Sequence, residues 1–209
     1  MSPAPFYTLT AGDLTVTAVS DGLMSAPLSL LSGISREEAE HLQRHSGLAS
    51  PETIAIGAYL IRGRGNTVLV DTGTGGANGV GGRRNVLLVR RVLANCAAQI
   101  SGVDDEEVIA GIRPCPLPGH TPGHTGYRLE AGDTSLLIWG DIVHFPSIQS
   151  ARPEASVAFD VDPEQARRTR EILLHQAASE RWLIAGMHLG LPGFARVENT
   201  ASGYCLRSV

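Results

Sequence analysis

The sequence lacks paired cysteines: Cys96, Cys115 and Cys205 are odd in number, widely separated and outside any Cys-x-x-Cys spacing. A disulfide framework and a cysteine-rich zinc module are therefore excluded, and reduced thiols of a cytoplasmic protein are expected. Long apolar runs are missing too. Stretches such as Leu136 to Trp139 fall far short of the about 20 residues that span a bilayer, so no membrane association is expected. Met1 to Pro5 carries no basic stretch leading into an apolar core, and no secretion signal is expected. Charge of one sign is not clustered; Lys and Arg are scattered and the net charge is −4, which argues against a nucleic-acid surface. The glycines at 73–82 are not followed by Lys-Ser/Thr, and a Ser-centred nucleophile elbow is absent, so neither a phosphate loop nor that type of serine hydrolase is indicated. What is present is ordinary globular composition, 43% hydrophobic and 18% charged over 209 residues, read as one domain spanning 1–209.

Periodicity sketches the elements. Leu14, Val16 and Ala18 alternate with Thr15, Thr17 and Val19 after the turn Ala11-Gly12-Asp13, which predicts an opening hairpin closed by Asp21-Gly22. Ser35-Arg36-Glu37-Glu38 is a capping box that opens a helix to about His45, with Gly47 as its stop. Strands follow at 53–61 and 67–70. Six glycines between Asp71 and Gly82 then interrupt regular structure. Val86, Val89, Leu93, Cys96 and Ile100 fall at helical spacing. Further strands are expected near Ile112, at 127–130, at 135–139 and at 182–185, with a last one at 201–206. Asp162-Pro163 caps a helix to about Ala178. Strands and helices interleave, and the motif-bearing segments sit in loops just after strands, which describes a layered α/β fold with its site along one sheet edge.

The chemistry concentrates in three of those loops. Pro118-Gly119-His120-Thr121-Pro122-Gly123-His124 aims two imidazoles from a path fixed by two prolines and two glycines. Such stiffness suits a metal ligand, although a stiff turn with a histidine bonded to backbone has the same composition. Trp139-Gly140-Asp141 ends an apolar strand on a carboxylate, with His144 three residues on. An unpaired charge there is costly unless a cation or several donors meet it. Met187-His188 is delivered by another buried strand, and the imidazole reads equally as a ligand or as a satisfied core residue. Taken together, imidazole, carboxylate and imidazole form a plausible set for zinc or a similar divalent ion. His41 and His45 lie four apart on the first helix but lack the glutamate of a zincin helix, and both they and His175 are expected to be solvated.

These segments, in this order, resemble the metallo-β-lactamase superfamily, and within it the lactonase-like and organophosphate-hydrolase-like branch. The matching pieces are Leu14 to Gly22, Val68-Leu69-Val70-Asp71-Thr72-Gly73, Leu117 to His124, Gly140-Asp141-Ile142-Val143-His144, Phe159 to Pro163, and Met187-His188 with Pro192-Gly193. The resemblance implies an α/β, metallo-β-lactamase-like αββα sandwich. It implies hydrolysis of a lactone or ester-like bond of a small-molecule substrate by a metal-activated hydroxide, with zinc or another divalent metal as cofactor. It makes His124 a ligand of the first metal, Asp141 the catalytic carboxylate bridging two metals, and His188 a ligand of the second. His120, His144 and Asp71 are implied as supporting or pocket residues; separately, a pocket near His144, Phe145 and Phe194 is expected to take an acyl chain or ring of the substrate.

One departure is plain. No His-x-His-x-Asp-His segment stands between Asp71 and Pro118, whereas the resembling enzymes carry one there and draw four ligands from it. The first half of the sandwich is thus expected to be truncated, with an internal deletion around 75–86. Two ligands per metal remain, against the three that a catalytic zinc generally holds, and activity is expected to be impaired. The alternatives are a non-catalytic ligand-binding or interaction module, and a site completed by a partner subunit. Apolar surface uncovered by the loss is expected to be buried in a homodimer.

Overall fold

Alternation along the first strands decides which side of the first sheet faces the core. The computed structural model describes residues 6–45, 50–71, 90–91, 94–95, 97–99, 102 and 106–209. Strands β1 (Phe6–Ala11) and β2 (Leu14–Ser25) pair antiparallel from Phe6 opposite Val19 to Ala11 opposite Leu14. Leu14, Val16 and Ala18 are buried and Val19 is exposed, as the period of two requires. The expectation that Asp21-Gly22 ends the strand is wrong. β2 continues to Ser25, and the register against the next strand shifts between Ser20 and Gly22, where Gly22 takes φ +100° and absorbs a bulge.

Strands β4 (Thr53–Gly63) and β5 (Asn66–Val70) complete a four-stranded antiparallel sheet in the order β1-β2-β4-β5. Their connection places Arg64 and Gly65 at positive φ. The Arg64 guanidinium is held there by two 2.7 Å hydrogen bonds to the Asp13 carboxylate on the neighbouring turn.

A second sheet of six strands runs in the order β12-β11-β10-β8-β7-β6. Its members are β6 (Ile112–Pro116), β7 (Thr125–Ala131), β8 (Thr134–Ile138), β10 (Leu183–Ala185), β11 (Phe194–Thr200) and β12 (Gly203–Ser208). Only β8 and β10 are parallel, and helix α3 (Pro163–Ser179) lies in the connection between them. The Asp162 carboxylate caps that helix by accepting from the Gln165 N–H at 2.9 Å. The final strand expected at 201–206 is in fact a hairpin, with Ala201 and Ser202 at its turn and β11 unanticipated.

The two sheets pack face to face. Leu14, Val16, Tyr59 and Ile61 from the first meet Ile112, Leu129, Leu136, Ile138 and Phe194 from the second. α3 covers the outer face of the second sheet through Ala166, Leu173, Leu174 and Ala177 against Leu137, Trp139 and Ile184. A third cluster joins α1 (Arg36–Arg44) to α2 (Pro146–Ala151) through Ala39, Ile54, Phe145 and Ile148, beside the short pair β3 (Leu31–Ser32) and β9 (Ser156–Val157). α1 begins as its capping box predicts, with the Ser35 hydroxyl accepting from the Glu38 N–H. Residues 90–91 and 94–95 are helical, in keeping with the helix expected over 86–100. Ala97–Gln99, at the end of that span, form a 3-10 turn instead of α-helix, while its remaining residues, the Gly47 stop and the junction at 75–86 lie outside the described residues. Among the described residues, no helix is long and apolar enough to cross a membrane.

Candidate metal centre

The loop at 118–124 is tied down by backbone. Leu117 N–H donates to His124 O at 2.8 Å, and the N–H groups of Asp162 and Val161 donate to Gly119 O and His120 O at 3.0 Å. Gly119 is required: at φ +131° it lies so close to α3 that a Cβ would fall 2.2 Å from Ala166 N. Thr169 adds a hydroxyl bond from α3 to Pro118 O at 2.7 Å. The two imidazoles therefore project from a loop clamped to the start of a helix.

His124 is fully bonded. A carbonyl can only accept, so the 2.9 Å contact with Leu117 O fixes the proton on Nδ1. Nε2 then accepts the Asp141 backbone N–H at 2.8 Å. Burial, partly offset by the Leu117 bond, holds this imidazole below its ordinary pKa and so neutral, as both bonds require. Gly140 makes the approach possible, because at φ +60° its Cβ would sit 2.6 Å from His124 Nε2.

Asp141 follows β8 on a short 3-10 turn, and its side chain is 32% exposed. Its Oδ1 lies 3.3 Å from His188 Nε2 and its Oδ2 lies 3.7 Å from His120 Nε2. Burial by itself would raise this carboxyl's pKa. The close contact with His188 and the neighbouring imidazoles of His144 and His120 outweigh it and hold the group well below the usual carboxylate range.

Each flanking imidazole is oriented from behind. His188 Nδ1 donates to Ala55 O at 2.7 Å, and His120 Nδ1 contacts Asp160 Oδ1 at 3.2 Å. The Asp160 side chain is 0% exposed and also accepts the Val157 N–H. Histidine ligands of metals are characteristically held in this way, with the far nitrogen donating to a carbonyl or carboxylate and the near nitrogen free for the ion.

His144 is 4% exposed. Its backbone N–H, and that of Phe145, donate to Gln149 Oε1 at 2.7 and 3.0 Å. The ring stands between His120 and His188, 4.8 Å from each by centroid, and stacks on the latter at 22°. Burial keeps it well below its ordinary pKa, and Nδ1 is buried without a hydrogen-bond partner. Ligand atoms of His120, Asp141 and His144 all lie within 4.8 Å of one another. Beneath this segment Arg170, 0% exposed, donates to Pro153 O and Ala155 O at 2.9 Å and to Ile142 O. Desolvation pushes its pKa down to about 10.

The structure therefore brings His120, His124, Asp141, His144 and His188 into one cluster. Asp71 directly follows β5 at φ +61° and is exposed. Phe145 and Phe194 do not flank a pocket with His144. They belong to separate core clusters, and Phe159 is the aromatic ring beside His144, at 5.7 Å. His41, His45 and His175 are exposed. Sequence reasoning missed Asp160, Gln149 and Arg170. The first stands in a motif already noted, whereas the other two give no local signal.

Comparison with known proteins agrees with the geometry. Residues 100–188 match the model of the metallo-beta-lactamase superfamily, and no curated protein matches the chain in sequence. Among solved structures, the chain is similar to the hydrolase AbOPH of the beta-lactamase superfamily, with 19% identity and a TM-score of 0.87 over 100% of this chain and 99% of that one. It is also similar to AidC, a dizinc quorum-quenching lactonase, with 16% identity and a TM-score of 0.82 over 98% of this chain and 97% of that one. A probable metal-dependent hydrolase from Staphylococcus aureus shares 13% identity and a TM-score of 0.67, over 96% and 99% of the two chains. The fold is that of the metallo-β-lactamase superfamily. Within it, the architecture matches hydrolase and lactonase structures across almost the whole chain.

Proposed function

We propose that the chain is a metal-dependent hydrolase of lactone or ester-like bonds, with Asp141 as the central anion of its metal centre. The observation that carries this reading is the convergence on one carboxylate of two imidazoles, each oriented from behind through its Nδ1. The residues fit a divalent ion of the zinc class by donor type and by the orphaned Nδ1 of His144. Such an ion, when bound, supplies a Lewis acid and lowers the pKa of water.

The chain's own residues then have distinct tasks. Asp141, its pKa depressed, stays ionised through neutral pH and serves as an anchoring anion rather than a proton donor. His124 fixes the Asp141 backbone, and His188 Nε2 lies 3.3 Å from Oδ1. In the arrangement that the resemblance implies, His124 and His188 would themselves be ligands. For His124 this requires release of the Asp141 N–H. The missing His-x-His-x-Asp-His segment leaves fewer ligands than usual, so turnover is proposed to be slow. That same absence favours the second reading, a non-catalytic small-molecule-binding module or a site completed by a partner subunit. A homodimer in the cytoplasm, where the free thiols Cys115 and Cys205 would stay reduced, completes the proposal.

The test is hydrolysis of N-hexanoyl-homoserine lactone and of an aryl ester by zinc-loaded protein. Metal-dependent turnover that disappears in Asp141→Asn is the expected result. Turnover indifferent to both chelator and substitution would overturn the assignment of Asp141.

A further inference from the structure

The two histidines to which the resemblance gives only supporting or pocket roles are placed to bind a metal. His120 Nε2 and Asp141 Oδ2 are 3.7 Å apart, too far for a hydrogen bond. Two ligands of one tetrahedral zinc, each about 2.0–2.1 Å from it, stand about 3.4 Å from each other. A small closure therefore converts this gap into a ligand pair. Behind His120, the fully buried Asp160 fixes the tautomer that leaves Nε2 free. A ring nitrogen of His144 lies within 4.8 Å of both other ligand atoms, and its Nδ1 is an unpartnered polar atom in a site where neighbouring polar groups are bonded. His124 differs from both, because each of its nitrogens is already engaged.

We propose that this chain holds one divalent ion of the zinc class through His120, Asp141 and His144, with His124 acting as a bracket for Asp141 and not as a ligand. His120 and His144 take the part that the absent histidine-rich segment would otherwise play. His188 Nε2 stands 3.3 Å from the second carboxylate oxygen, Oδ1, on the other side of Asp141. The inference rests on the reading of this cluster as a metal centre, and specifies which side chains bind there.

Titration of the metal-stripped full-length protein with Co(II), followed by calorimetry and by the visible d–d absorption, tests it. Wild type binds one equivalent and develops the visible bands. His120→Gln and His144→Gln each lose the bands and weaken binding by more than about 100-fold. His124→Gln keeps the bands, with a loss inside the about 10–100-fold range of a supporting residue. Circular dichroism and melting of each metal-free variant check the fold, and if buried His144→Gln does not fold, His120→Gln decides. Wild-type-like binding in His120→Gln, together with loss of binding in His124→Gln and His188→Gln, overturns the proposal and leaves the metal reading standing. No Co(II) binding by wild type overturns both.

Discussion

Gly140 is where backbone and site chemistry meet, and replacing it with alanine has a cost that can be worked out. Two penalties combine. At φ +60° a Cβ strains the backbone, which costs about 1–2 kcal/mol. That Cβ also lies 2.6 Å from His124 Nε2, where ordinary contact begins at 3.4 Å. The imidazole must therefore retreat by about 0.8 Å, which breaks its 2.8 Å bond from the Asp141 N–H and costs about 1 kcal/mol more. Gly132 supplies the control. Its φ is +59°, nearly the same, yet a Cβ there meets nothing within 4 Å. Gly132→Ala thus measures the backbone strain alone. In a chain of this size about 1 kcal/mol shifts Tm by about 2–4 °C, so Gly140→Ala should melt about 2–4 °C below Gly132→Ala and also lose metal affinity. Equal melting temperatures, or unchanged metal affinity in Gly140→Ala, would refute the claim that His124 braces Asp141.

Three further outcomes follow from the packing. Arg170→Met removes the donors to Ile142 O, Pro153 O and Ala155 O and should destabilise by at least about 3 kcal/mol in denaturant melts. Arg207→Ala, which loses only the exposed pair with Glu198, should stay within about 1 kcal/mol of wild type. The four-stranded sheet exposes Leu23 (58%), Leu69 (55%) and Phe6 (54%). Light scattering should accordingly give about 44 kDa, two chains of 22.1 kDa, as expected when an apolar face is covered by a second copy. A monomer at micromolar concentration would remove the dimer.

The layered fold was legible because its signals are local. Alternation at 14–19 and the caps at Ser35 and Asp162 act within a few residues and appear where expected. Failures occurred where a local stop signal was overridden. Asp21-Gly22 has turn chemistry, yet pairing with β4 carries β2 past it and converts the turn into a bulge. Ser202-Gly203 does carry turn chemistry, but Phe194 to Thr200 before it shows no clear strand signal, so the β11–β12 hairpin was not anticipated.

The site was legible as a set of strand-end residues, and the cluster contains four of the histidines that the loops singled out. Their division of labour was not legible. It depends on which nitrogen faces Ala55 O, Leu117 O or Asp160, and a carbonyl oxygen leaves no mark on a residue's identity. Arg170 reads in sequence as one more polar residue of an amphipathic helix, and only burial shows that it braces the segment carrying His144.

The most direct test is the metal content of protein purified without chelator, measured by elemental analysis as moles of zinc, iron and manganese per chain. A centre built on His120, Asp141 and His144 predicts about one equivalent of a divalent ion, reduced to a trace in Asp141→Ala. Less than about a tenth of an equivalent in wild type, with no uptake on adding zinc, would contradict the account.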